Sequence, residues 1–234
     1  MSKQTLVMTR PRAVAQNFVD GIAADALVDV CVLYAPLVDI VPTGHAADLS
    51  DAASVIFTSA NGVKFAPKGQ GRVAYCVGEK TAQVARAAGW DVHLVQRDAE
   101  GLIASLKADP PTGPLVHLAG THRRGGIDVQ LAQGGTHVDV QVLYDQPLQP
   151  LDDSVRAVLS GEGRVILPLF SPRTAAHLGG LIAGAPNTVA VVMSDAVAQA
   201  IKHVPFADVV IAAAPTRQEM TLNVEKLLRR NRFS

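Results

Sequence analysis

The chain has 234 residues, 48% of them hydrophobic, and balances 21 Lys and Arg against 21 Asp and Glu. That is enough apolar material for one large α/β domain or two small ones, and it leaves no net field to hold the chain on nucleic acid or an anionic membrane. The longest apolar runs, 189–193 and 209–214, are far too short to span a bilayer, and the first residues lead straight into a strand; the expectation is a soluble, cytoplasmic protein. Cys31 and Cys76 are isolated, with no C-x-x-C spacing, and each lies in an apolar stretch, which predicts two buried thiols in a reducing compartment.

Short β-branched runs alternate with helical periods along the chain. Strands are predicted over 6–9, 28–33, 54–58, 72–77, 91–95, 115–118, 137–143, 164–167, 188–192 and 208–212. Helices are predicted over 12–26, 60–66, 79–88, 99–108, 123–133, 151–160, 172–183, 194–202 and 216–230. Such alternation implies parallel sheets with crossover helices. The two halves also resemble each other. "TLVMTRP" (5–11) is similar to "PLVHLAGTH" (114–122), "VIFTSANGVKFA" (55–66) to "LPLFSPRTAAHL" (167–178), and "VAYCVGEKTAQVARAAG" to "VAVVMSDAVAQAIKH". Each pair is offset by roughly 110 residues, too long for a solenoid unit, so two similar α/β lobes are expected.

Two Pro-marked extended segments, "VLYAPLVDIVP" (32–42) and "VQVLYDQPLQP" (140–150), suggest where the chain crosses between lobes. If both cross, the first lobe is discontinuous, 1–36 and 148–234, and the second, 37–147, is inserted into it. Ligands of open α/β sheets bind beyond the carboxyl ends of the strands, so the expected site is a cleft between the lobes.

Hydroxyls recur at strand-to-helix junctions: Thr58-Ser59, Thr81 in "GEKT", Gly120-Thr121, Ser171, Ser194, and Pro215-Thr216. Unsatisfied N–H groups at a helix start favour a negative group, whereas for any single junction plain N-capping is the simpler account. Six such junctions would suit a ligand with many separate anionic groups. Arg10, Arg12, Arg123, Arg124, Arg173 and Arg217 stand where guanidinium groups could pair carboxylates, or remain solvated loop charges.

Several chemistries are set aside. "VGEKT" lacks the upstream Gly and the Gly-Lys of a P-loop, "GQGR" precedes a strand rather than following one, and there is no G-x-S-x-G elbow. His117, His122 and His137 are not at ligand spacing, so no metal site is expected.

The residues in "TRP", "VIFTSANGV", "VGEKTA", the segment from Gly120 to Arg124, "VLY", "FSPRTA", "VMSDAVAQAI" and "AAAPT" together resemble the uroporphyrinogen-III synthase family, in order and spacing, over nearly the whole chain. The resemblance implies a two-lobed α/β fold with a discontinuous first lobe and a two-stranded linker, acting as a monomer without metal or organic cofactor. It also implies the substrate, the linear tetrapyrrole hydroxymethylbilane with its eight carboxylates. Loss of the substrate hydroxyl gives an azafulvene, and attack through a spiro-type intermediate closes the ring to uroporphyrinogen III with the last pyrrole inverted. Tyr144, in "VLY", matches the family's tyrosine at the cleft and is the catalytic candidate; it could equally be a linker aromatic packed under the cleft. Arg10, Thr58, Ser59, Thr81, Gly120, Ser171, Ser194, Pro215 and Thr216 are the substrate-binding candidates. Thr81 could instead bond its own backbone in the first helical turn. At the counterpart of Thr81 in the other lobe, "VMSDAVAQ" offers Ser194 and then Ala196-Val197, where some family members have threonine. The rival expectation is a two-lobed binding or sensor protein for a polyanionic small molecule.

Overall fold

The computed structural model describes residues 4–123 and 125–230; Arg124 and the chain ends lie outside it. The chain divides into two compact units, one made of residues up to Asp39 together with those from Leu148 onward, the other Ile40–Pro147.

In the first unit five strands, β1 (Gln4–Met8), β2 (Val30–Tyr34), β9 (Val165–Leu169), β10 (Ala185–Val192) and β11 (Phe206–Ile211), form one sheet in the order β11-β10-β9-β1-β2. Every neighbouring pair is parallel. Parallel sheets need cover on both faces, and strand alternation supplies it. Leu6, Met8 and Ile166 face α1 (Arg12–Val19) and α9 (Arg217–Arg229), while Val7, Val165 and Leu167 face α6 (Asp153–Ser160), α7 (Pro172–Leu181) and α8 (Asp195–Ala200).

The second unit has a six-stranded sheet in the order β3-β8-β7-β4-β5-β6, from β3 (Val41–Pro42), β4 (Ser54–Phe57), β5 (Val73–Val77), β6 (Asp91–Gln96), β7 (Leu115–Gly120) and β8 (Val138–Asp145). Only β3 is antiparallel, paired with β8 at Val41–Asp145 and Pro42–Tyr144. One face packs on α2 (Ala60–Phe65) and α3 (Glu79–Ala87), the other on α4 (Ala99–Ala108) and α5 (Ile127–Ala132). Reading β1 against β7, β2 against β8, and β9, β10, β11 against β4, β5, β6, the two sheets have the same spatial order. Three of these pairs, β1 with β7, β9 with β4 and β10 with β5, are the segments that look alike in sequence.

Four expectations need correction. The helix expected over 12–26 ends at Val19, and a 3-10 turn follows at Ala24–Leu27. The chain must turn here: a Cβ on Gly21 would lie 3.4 Å from the Phe18 carbonyl and against the Arg217 guanidinium, and the Ala23 amide is drawn to Glu225 Oε1 at 2.8 Å. The helix expected over 123–133 begins only at Ile127, because Gly125 and Gly126 hold left-handed φ angles of 84° and 51°. Strand β3 is absent from the expected elements; it is two residues long and visible only through its partner. Cys31 is exposed rather than buried, because β2 is an edge strand, whereas Cys76 is in the core with its thiol pushed up to about 11 by burial.

Helix α2 sits so close to β7 that a Cβ on Gly62 would be 2.6 Å from the Leu118 carbonyl oxygen. Helix propensity alone favours Ala over Gly by about 1 kcal/mol, so the sign of Gly62→Ala reads the clash. We expect a net loss of about 1–2 kcal/mol in a urea titration; an unchanged or raised midpoint would contradict the close approach.

Candidate functional site

Because the strands other than β3 are parallel, their carboxyl ends share one edge in each unit, and every candidate junction follows such an end. In each sheet the strand order reverses once, between β1 and β9 in the first unit and between β4 and β7 in the second. Loops at a reversal diverge to opposite faces and leave a crevice.

Thr9-Arg10-Pro11 and Phe170-Ser171-Pro172 flank the reversal of the first unit. The Arg10 guanidinium lies 4.4 Å from the Phe170 ring centroid, and Phe170 is braced edge-on by Phe18 at 5.1 Å. Burial and then the charge of Arg217 hold Arg10 below its ordinary value, and among the described residues no carboxylate forms an ion pair with it. Ser171 and Ser194 occupy the cap positions of α7 and α8, yet neither side chain makes a cap hydrogen bond. Thr216 does cap, accepting from the Glu219 amide at 3.2 Å, and Pro215 beside it is exposed. Arg217 donates to the Asn17 carbonyl.

At the reversal of the second unit, Ser59 caps α2 by accepting from the Asn61 amide at 3.1 Å. Thr58 Oγ1 lies 3.3 Å from His117 Nε2. Arg123, after β7, is 3.5 Å from Asp128. Thr81, in the first turn of α3, is nearly enclosed at 6% exposure.

Tyr144 is held by three features. A register shift against β7 inserts one extra residue in β8, so that Ala119 faces Val142 but Gly120 faces Tyr144; such a bulge re-aims a side chain. The ring then stacks on Phe65 of α2, with centroids 5.7 Å apart and planes 23° from parallel. Gly120 leaves the room for it, since a Cβ there would be 2.5 Å from the ring carbons. Gly120 thus seats Tyr144, a role its place in the sequence does not suggest, while Thr121 ties in from the next position, its amide donating to the Tyr144 carbonyl at 3.0 Å. The tyrosine is 5% exposed, and no described residue hydrogen-bonds its hydroxyl.

Sequence reasoning misses two residues here. Phe65 reads only as a helix residue, and His117 enters only as a metal ligand to be set aside. Among the described residues no cluster of three potential metal ligands exists, and no helix is long and apolar enough to cross a membrane.

The fold and its edges define a doubly wound α/β protein of two like units, with hydroxyls and guanidinium groups gathered at strand ends. The family model for uroporphyrinogen-III synthase HemD matches residues 29–221, most of the chain, and the chain belongs to the uroporphyrinogen-III synthase family. Its fold is similar to that of uroporphyrinogen-III synthetase from Helicobacter pylori, at 20% identity and TM-score 0.66, over 98% of this chain and 100% of that one. A mutant uroporphyrinogen III synthase from the extremely thermophilic bacterium Thermus thermophilus is similar at 14% identity and TM-score 0.55, over 96% and 98%. No curated protein matches the chain. The function is that of the family, a lyase of haem biosynthesis, and nothing in the fold or the comparisons favours a sensor or binding protein.

Burial, then the charge of Arg123, lowers His117 to about 4 from an ordinary 6.5, with Asp128 acting in the opposite sense. Above 6.5 the ring is neutral in both folded and unfolded chains. Between 6.5 and about 4 only the unfolded chain takes the proton, so stability is lost as pH is lowered through this window, by about 1.4 kcal/mol per pH unit. Denaturant titrations across this window should show that slope in the parent and lose most of it in His117→Leu; parallel profiles would contradict a neutral buried imidazole.

Proposed function

We propose that the chain closes hydroxymethylbilane to uroporphyrinogen III by holding the substrate's carboxylates at these strand ends while Tyr144 assists departure of the terminal hydroxyl. The observation that carries the reading is Arg10: a partly buried guanidinium over an aromatic ring, with Arg217 as a second positive charge and no described carboxylate in reach. A bidentate carboxylate would relieve both the desolvation and the repulsion. Ser171 and Ser194, free of capping duty, and Thr58 supply neutral donors for further carboxylates, which a chain of zero net charge needs if it is to bind a polyanion. Ser59 and Thr216 already spend a side-chain acceptor on their caps, so their hydroxyl hydrogens and nearby amides are what remain for a ligand.

In this scheme the carbon–oxygen bond of the hydroxymethyl group breaks while the Tyr144 hydroxyl hydrogen-bonds the departing oxygen, and the pyrrole N–H gives up the proton that completes the water, leaving the neutral azafulvene. The azafulvene that forms is attacked by the electron-rich pyrrole, so the protein's work is orientation: it folds the bilane and selects the carbon attacked. The hydroxyl is available for this because its ring is fixed by Phe65 and Gly120 while the oxygen has no described partner. We also propose that the chain acts as a monomer in the cytoplasm; its two unpaired thiols suit a reducing compartment.

Steady-state kinetics separate the two roles. Tyr144→Phe should lower kcat at least tenfold with KM changed less than about threefold, because it removes an interaction with the departing group. Arg10→Leu should raise KM about tenfold or more, the worth of a charged hydrogen-bonded pair, with a smaller effect on kcat. Equal loss of turnover and binding in Tyr144→Phe would remove its catalytic role, and an unchanged KM in Arg10→Leu would remove Arg10 from the binding set.

A further inference from the structure

We propose that His117 is a positioning residue that turns the Thr58 hydroxyl into a donor for a substrate carboxylate. The inference rests on the reading above that Thr58 contacts substrate. His117 is the third residue of β7, opposite Ile56 of β4, so it stands one step below Thr58 at the strand-order reversal. It is 2% exposed and faces the layer of α4 and α5, with Leu115 and Ile56. Its ring nitrogens are unequal: Nε2 is 3.3 Å from Thr58 Oγ1, and Nδ1 is buried without a partner among the described residues.

A neutral imidazole carries one proton. Were it on Nδ1, a buried N–H would be left orphaned, which is rarer in folded proteins than an orphaned acceptor. The proton therefore belongs on Nε2, donating to Thr58 Oγ1. Thr58 then uses its oxygen as acceptor, and its hydroxyl hydrogen is left to point elsewhere. No described residue accepts it.

The unpartnered Nδ1 has a cost that a hydrophobic residue would not carry. Gln4, Ser54 and Trp90 also hold buried unpartnered side-chain atoms, but they lie at or just before the amino ends of their strands, and Thr188, in the middle of β10, pairs with Val165, the first residue of β9, whereas His117 pairs with the third residue of β4. His117 is placed beneath that edge. A buried polar atom retained at a cost in stability, beside a candidate binding hydroxyl, points to function rather than folding.

The test is a cycle of His117→Leu, Thr58→Val and the double variant, with hydroxymethylbilane as substrate at pH 7.5. His117→Leu should melt no lower than the parent, yet raise KM about tenfold with kcat changed less than twofold. Thr58→Val should match it, and the double variant should be no worse than either. His117→Gln, which carries an N–H where Nε2 stands, should keep the parent KM. If Thr58→Val raises KM and His117→Leu does not, the positioning role is wrong and the binding role of Thr58 survives. If Thr58→Val leaves KM unchanged, both fall. A His117→Gln variant as weak as Thr58→Val also overturns the proposal, and this comparison serves alone should His117→Leu fail to fold.

Discussion

Parallel strand pairing is the constraint on which the rest depends. A parallel neighbour can be reached only by a crossover, and the crossover is a helix that must bury one face on the sheet. Both sheet faces are thereby dry, as Leu6 and Val7 on opposite sides of β1 illustrate. Polar chemistry is left to the edge where strands end and helices begin. The two units obey the constraint in the same strand order, so each produces one reversal at the corresponding place, where open α/β sheets bind their ligands. Arg10 with Ser171, and Thr58 with Arg123, are what the chain has put there.

The edge groups divide by what they already do. Ser59 and Thr216 hold helix ends together, Gly120 makes room for an aromatic ring, and Ser171, Ser194, Arg10 and the Tyr144 hydroxyl have no such described commitment. Uncommitted polar groups at a crevice lower the stability of the free protein and raise its affinity for a ligand that completes them. For a reaction in which the substrate's own pyrroles supply the electrons, a set of well-placed donors is most of what the protein has to contribute.

The α/β class and the family were legible in the sequence because alternating periods of two and 3.6 survive in short runs, and because motif order persists where single motifs do not. What was illegible follows from longer-range contacts. The first helix stops early because Gly21 must pass Arg217, nearly two hundred residues away in the chain. Cys31 sits in an apolar run, and only the strand order reveals that β2 is an edge. Strand β3 has no period of its own. The bulge that seats Tyr144 depends on register between β7 and β8, and the partnership of His117 with Thr58 depends on β4 and β7 being neighbours, which sequence spacing does not encode. The alternation of "PLVHLAG" did place His117 on a strand; its polarity among apolar neighbours was the signal that it served something beyond packing.

The most direct test of the central claim is product identity. Freshly prepared hydroxymethylbilane is incubated with the purified protein without added cofactor, the products are oxidised, and the ring isomers are separated by chromatography. Hydroxymethylbilane left to itself closes to isomer I, so dominant isomer III, in proportion to protein, is the expected result. Isomer I alone, from protein shown to be folded, would contradict it.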